Sequence, residues 1–218
     1  MTRKEIRDQV RMLLGEPATG GLWSDTQYNL WINEAQEHIA IDTKCLKSYA
    51  EFTTTTGVSM YDIGEQSLDD MLEISELQYF ITTILYRTLP CVSRDELSYM
   101  QNQNIGVQTW PTCYCYEDRV IEFDRMTPGS MNVRVYYYFL PSPMTGDDDV
   151  SVIPTKFHHV MIPFICWKFC EADMLNPRTG YFKQLYDEHI IQMKGLLSPP
   201  ASTYQGIKDD TEIQYFAR

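Results

Sequence analysis

Cationic side chains are scarce in this chain: 18 Lys and Arg stand against 30 Asp and Glu among 218 residues, a formal charge of -12. Proteins that read duplex DNA displace its counterions with a surplus of Lys and Arg, so this balance excludes a dedicated sequence reader. An acidic surface can still sit beside DNA without adhering to it. Cysteines number six, too few for a small disulfide scaffold. Five of them lie in apolar or aromatic surroundings, where a free thiol behaves as a small hydrophobe, and a reducing cytosol is the expected place of synthesis. The longest apolar run, 160–169, is interrupted by Pro163 and Lys168 and falls far short of the roughly 20 residues of a membrane span. The first stretch, MTRKEIRDQVRMLLGE, holds no uninterrupted apolar core of a signal peptide. The glycine-rich GEPATGG lacks the lysine and the spacing of a phosphate-binding loop.

Catalytic and metal-binding patterns are equally thin. Cys113 and Cys115 form C-x-C, while Cys166 and Cys170 stand a helical turn apart. Structural zinc takes ligand pairs at recognisable spacings, and these two pairs do not match, so the cysteines read as core fillers. The run Asp147–Asp149 has no spaced oxygen ligands and no closing glutamate and reads as a solvated acidic loop. His158 and His159 have no carboxylate partner or nucleophile pattern beside them; one is expected to face the core and the other the surface. No catalytic residue, cofactor or metal is expected.

Aromatic residues are what the chain has in excess: 15 Tyr, 9 Phe and 4 Trp. Tyr and Trp are favoured at protein interfaces, which leans toward an assembling protein. Hydrophobic spacing predicts a first helix over 2–14, with Thr2 and Glu5 in a capping box. A second follows Ser24 and carries Tyr28, Trp31, Ile32, Ala35 and Ile39 as its buried stripe, with Trp23 stapled onto Tyr28 and His38 at the boundary. The β-branched run at 51–63 predicts a hairpin turning near Gly57-Val58. Residues 68–90 read as two strands around a bend, followed by a short helix capped by Ser93. TWPTCYCYEDRVIEF reads as a hairpin turning at Glu117-Asp118. In MNVRVYYYFL, alternation puts Val133, Val135 and Tyr137 on one face and Arg134, Tyr136 and Tyr138 on the other; both faces are partly apolar, so a neighbour is expected to cover one.

Pro154 opens a strongly apolar helix to about Asn176, which Pro163 should bend or interrupt. A last helix, 180–197, turns Phe182, Leu185, Tyr186, His189, Ile190 and Met193 inward. Residues 198–218 are either a disordered terminus or an arm that orders on a partner, with TEIQYF adding as a strand. The whole is expected to be α+β: a helical core of about four helices from residues 1–47 and 150–197, an inserted antiparallel β-rich lobe at 48–149, and an extended C-terminal arm at 198–218. Ile207, Ile213, Tyr215 and Phe216 in the arm, with Tyr136 and Tyr138 on the strand, are the candidate interface residues.

The pattern around Trp23-Ser24-Asp25 running into Asn33-Glu34-Ala35-Gln36 resembles the start of head-to-tail adaptor (connector) proteins of tailed bacteriophages, podovirus-like in kind. The order that follows is similar too: FTTTTGVSMYDI, WPTCYCYEDRVIEF, a strand ending YYYFLPSPMTGDDD, then VIPTKFHHVMIPFICWKFCEAD, where Ile-Pro leads into a helix. The likeness covers about residues 3–197; the cysteines and the crowded aromatic strand depart from it. What it implies is a structural virion protein at the head–tail interface, assembled in the host cytoplasm. Such adaptors form a ring, typically of twelve copies, beneath the portal protein. The ring extends the channel for double-stranded DNA, without sequence-specific binding and without a membrane, and offers a docking surface to tail or nozzle proteins. In several members the C-terminal segment reaches along the portal. Acidic side chains are expected to outnumber basic ones on any lumen. Two alternatives stand beside this one: another neck or tail-completion component not bound to the portal, and an enzyme whose site forms across subunits around His158, His159 or the cysteines.

Overall fold

The computed structural model describes residues 1–17, 21–64, 70–81, 85–173 and 177–197. Two helices open the chain, α1 (Arg3–Leu14) and α2 (Asp25–Thr43). Thr2 and Glu5 form the expected reciprocal capping box, and Gly15 closes α1 with a φ of +75°, a left-handed conformation that suits glycine. Ser24 caps α2 by accepting from the Gln27 amide. All five predicted stripe residues of α2 are buried. Trp23, expected on Tyr28, instead meets Trp31 edge-on at 5.7 Å, while Tyr28 stacks toward Phe169 at 6.2 Å. The indole is drawn to the larger aromatic surface one turn further along.

The middle of the chain supplies seven strands and a helix: β1 (Lys47–Thr53), β2 (Met60–Asp62), β3 (Met71–Phe80), β4 (Tyr86–Leu89), α3 (Arg94–Gln103), β5 (Tyr114–Glu117), β6 (Val120–Phe123) and β7 (Asn132–Phe139). They form two antiparallel sheets, one ordered β1-β7-β3-β4 and the other β2-β6-β5. The hairpin expected over 51–63 is absent. β1 pairs with β7, and β2 pairs with β6 in the other sheet. The chain leaves the first sheet after Thr53 through a corner at Gly57, whose φ is +76°. There the Gly57 amide donates to Thr127 O at 2.9 Å and Thr127 returns its amide to Val58 O at 3.2 Å. The Thr run suits a strand, but which partner it takes is a long-range choice. The β3–β4 and β5–β6 pairs do form as expected. The second turns at Asp118-Arg119, one residue later than predicted, with both φ positive, as a two-residue hairpin turn requires.

The inner faces of the two sheets meet over one apolar cluster that includes Phe52, Leu77, Phe123, Val133 and Val135. On the other side of the three-stranded sheet, Cys113 and Cys115 pack with Leu97 of α3. The alternation in Cys113-Tyr114-Cys115 therefore sends the thiols under α3 and Tyr114 into the sheet–sheet core.

Two further helices close the fold. The segment after Pro154 is not one helix: Thr155–Val160 is a 3-10 turn, and α4 spans Met161–Ala172. Pro163 thus falls in the first turn of α4 rather than in a helix interior. The Met161 amide still donates to His158 O across the change of helical type, so Pro163 stands at the junction of the 3-10 and α segments, where proline near the start of an α-helix is best tolerated. The last helix, α5, spans Thr179–Leu197 and buries Phe182, Tyr186, Ile190 and Met193; Leu185 and His189 are half-buried. α1, α2, α4 and α5 share a second core, with Ile6, Ile32, Phe164 and Ile165 fully buried. Cys166 and Cys170 are fully buried there, as expected of core fillers.

The loop carrying Asp147–Asp149 corrects the expectation of a merely solvated segment. Asp147 accepts from Arg7 at 3.0 and 3.1 Å and from Arg3 at 3.1 Å, and these bonds hold its carboxyl below the usual range. The backbone carbonyls of Asp149 and Asp147 accept from the Arg3 and Lys4 amides at 2.8 and 3.1 Å. They satisfy N–H groups that the start of a helix leaves without internal acceptors. Asn33 of α2 holds the same loop through both backbone groups of Met144, at 2.9 and 3.3 Å.

Candidate docking surface

Two sheets have four faces. Two of these meet each other, and α3 covers the outer face of the three-stranded sheet. The described residues on the outer face of the four-stranded sheet, Tyr49, Arg134, Tyr136 and Tyr138 among them, belong to none of the apolar clusters. Its register places Lys47, Tyr138 and Glu73 in one row, Tyr49, Tyr136 and Glu76 in the next, and Glu51, Arg134 and Gln78 in a third.

These rows are tied internally. Arg134 donates to Glu51 at 2.5 and 2.7 Å and to the Tyr136 hydroxyl at 3.2 Å. Its guanidinium lies 5.0 Å from the Tyr49 ring and 4.9 Å from that of Phe80, a cation–π arrangement. Tyr49 and Tyr136 are 6.0 Å apart. Lys44 reaches Glu73 at 2.5 Å and stands over Tyr138 at 5.7 Å. Glu76 accepts from Gln78 and Thr88 at 2.7 and 2.8 Å, which lowers its carboxyl pKa. Tyr and Arg held in place by neighbours lose little freedom on binding, which is why they recur where proteins meet.

Tyr136 and Tyr138 lie on this face, half-buried among the side chains just named. Ile207, Ile213, Tyr215 and Phe216 fall outside the described residues. Arg134 shares this face with Tyr136 and Tyr138, as alternation predicts, whereas Lys47 and Tyr49 precede the strand expected to begin at Glu51 and join the face because β1 starts at Lys47. Beside the face, Asp42, Lys44, Lys47, Tyr138, Lys194 and Leu197 line a groove of about 560 Å³ where α5 ends.

The chemistry considered for an enzyme reading is not brought together. His158 is buried with Nε2 2.6 Å from the Ile153 carbonyl oxygen, and burial lowers its pKa. His159 is exposed and faces the His189 ring at 5.2 Å. The two cysteine pairs sit in different cores. Burial pushes Cys166 up to about 12 and Cys113 up to about 11, which disfavours the thiolate form that a nucleophile needs. No three His, Cys, Asp or Glu residues converge as a metal site among the described residues. Nor is any described helix long and apolar enough to cross a membrane.

Comparison with curated proteins returned no match. A family model described as SU10 adaptor protein matches residues 1–205, nearly the whole chain, and stops short of Ile207, Ile213, Tyr215 and Phe216. With both cores, both sheets and the loop between them inside that match, the chain belongs to the SU10 adaptor protein family, a phage head-to-tail adaptor family whose role is structural and not enzymatic.

Proposed function

We propose that this chain is a ring subunit seated between the capsid portal and the tail, where it extends the DNA channel and presents a surface to tail or nozzle proteins. Family membership supports the site of action, and the single observation that carries the docking role is the tyrosine- and arginine-rich sheet face left open in the lone chain. A cyclic ring joins one face of each subunit to a different face of the next, and an uncovered face with pinned aromatics suits one half of such a joint. Twelve copies are the number proposed, with acidic side chains outnumbering basic ones on the lumen.

The division of labour proposed is a helical core, an inserted β lobe and a terminal arm. The lobe's entry and exit touch: Phe139 donates its amide to Leu46 O at 3.2 Å. The returning loop then clasps α1 and α2 through Asp147 and Met144, which supports a lobe held at a fixed angle. Residues 198–218 serve as the arm that engages the portal. A low-resolution image of the assembly bound to portal tests this reading. The expected result is a closed ring contacting the portal with a through-channel. A ring found only at the tail side would place the protein among tail-completion components instead.

A further inference from the structure

We propose that His159 and His189 form an acid-sensitive latch on α5: their rings hold the helix to the Thr155–Val160 turn while both are neutral, and release it when both take up protons. The rings meet edge-on, 5.2 Å apart with their planes at 72°. His159 is exposed, whereas His189 is half-buried on the inward side of α5. Its Nδ1 is buried and has no hydrogen-bond partner among the described residues. A neutral imidazole leaves one nitrogen as an acceptor, but an imidazolium carries an N–H on both. Protonation therefore buries an unsatisfied charged donor and sets two like charges side by side. The competing view is that the pair is an aromatic contact with no response to pH.

Burial, and then His159, lower the His189 pKa, while Glu188 opposes them; Glu188 is itself engaged by Gln184 at 2.9 Å. The helix packs on the turn, on α4 and on α2, and the other charges there are committed elsewhere. On the turn, Lys156 lies over Phe157, and the buried His158 accepts from the Met1 amino group at 2.5 Å. On α4, Lys168 reaches Glu34 at 2.6 Å, and Glu171 stands at the end remote from the turn. On α2, Asp42 accepts from the Tyr186 hydroxyl at 3.3 Å, His38 lies against Phe164 at 5.1 Å, and Glu37 is exposed. On α5 itself, Lys183 pairs with Asp187 at 3.4 Å. A depressed imidazole leaves the unfolded chain binding more protons. Stability is thus full above the unfolded pKa of about 6.5 and lost as pH falls through the folded value. Because α5 ends in the groove beside the tyrosine-bearing sheet face, acid loosens one wall of that groove; the latch does not depend on what docks there.

Amide hydrogen exchange of the full-length chain at about pH 7.5 and about pH 5.5, corrected for intrinsic rates, decides between these. That window lies above the carboxylate range, so the Asp147 cluster does not titrate in it. In the wild type, α5 amides should lose about fivefold of their protection on going to the lower pH. Those of α3, which packs in a different core, should hold. His159→Phe keeps a ring without the charge and should retain α5 protection at both pH values, losing less than about twofold. His159→Gln removes the ring as well; its α5 should start less protected at the higher pH and change little. His158 is intact in both variants, so its own titration cannot produce the difference. An unchanged α5 in the wild type would overturn the proposal, as would a loss shared equally by α3. So would a His159→Phe chain that loses as much protection as the wild type, since the ring pair would then be packing alone.

Discussion

Asp147 and Asp124 carry more of this fold than their surroundings in the sequence suggest. Hydrogen bonds from Arg7 and Arg3 hold the Asp147 carboxyl below its ordinary value, and the amides of Gly146 and Thr145 do the same for Asp149. A depressed carboxyl contributes stability that is present above its unfolded pKa, about 3.9, and lost as pH falls through the folded value. The urea midpoint should therefore drop below about pH 4. Asp147→Asn should lower the midpoint at pH 7 and flatten that acid dependence, which denaturation at pH 7 and pH 3 would check. Asp124 is almost wholly buried and accepts from the Thr112 amide at 2.8 Å, the Thr112 hydroxyl at 2.7 Å and the Cys113 amide at 3.3 Å. Asp124→Ala strands those donors and should cost on the order of 3 kcal/mol, read as a shift in the urea midpoint. Asp124→Asn keeps an acceptor in place and should lose less.

At the scale of elements, Pro163 separates two accounts of the segment after Pro154. Inside a continuous helix it would be destabilising relative to alanine by roughly 3 kcal/mol, and its removal would strengthen the fold. In the first turn of α4 it occupies the part of an α-helix that tolerates proline best, so Pro163→Ala should move stability by less than about 1 kcal/mol. Urea denaturation of the variant distinguishes these, and a large gain would put the proline back inside a single helix. The apolar character around α4 has a matching cause. The helix packs against α1, α2 and α5 together, so almost no side of its middle reaches water.

At the scale of the molecule, the two apolar cores and the Leu46–Phe139 contact make the β region separable in principle. Replacing residues 47–139 with a short glycine-rich linker should leave α1, α2, α4 and α5 folded, observed as cooperative unfolding of a helical protein. Loss of cooperativity would show that the sheets are needed to hold the helices. Removing residues 199–218 should leave the globular part folded and weaken binding to the portal; equal binding by the shortened chain in a pull-down would count against the arm.

Much of this was legible before the fold was known. Periodicity and capping placed α1, α2, α3 and α5 within a few residues, because those signals are local: Thr2 with Glu5 and Ser24 before its helix act within one turn. The alternation of MNVRVYYYF likewise assigned each side chain of β7 to its face. Tertiary structure decided what depends on distant partners. β1 and β2 look like a hairpin in sequence, yet each pairs more favourably with a strand far along the chain. Asp147 looks like part of a solvated run, yet two arginines on α1 claim it. Pro163 looks like a kink within a helix, yet the chain changes helical type before reaching it. The open face of Tyr49, Tyr136 and Arg134 belongs to the same class. Alternation fixes which residues share a face, but only the packing of every other element decides which face is left for a partner.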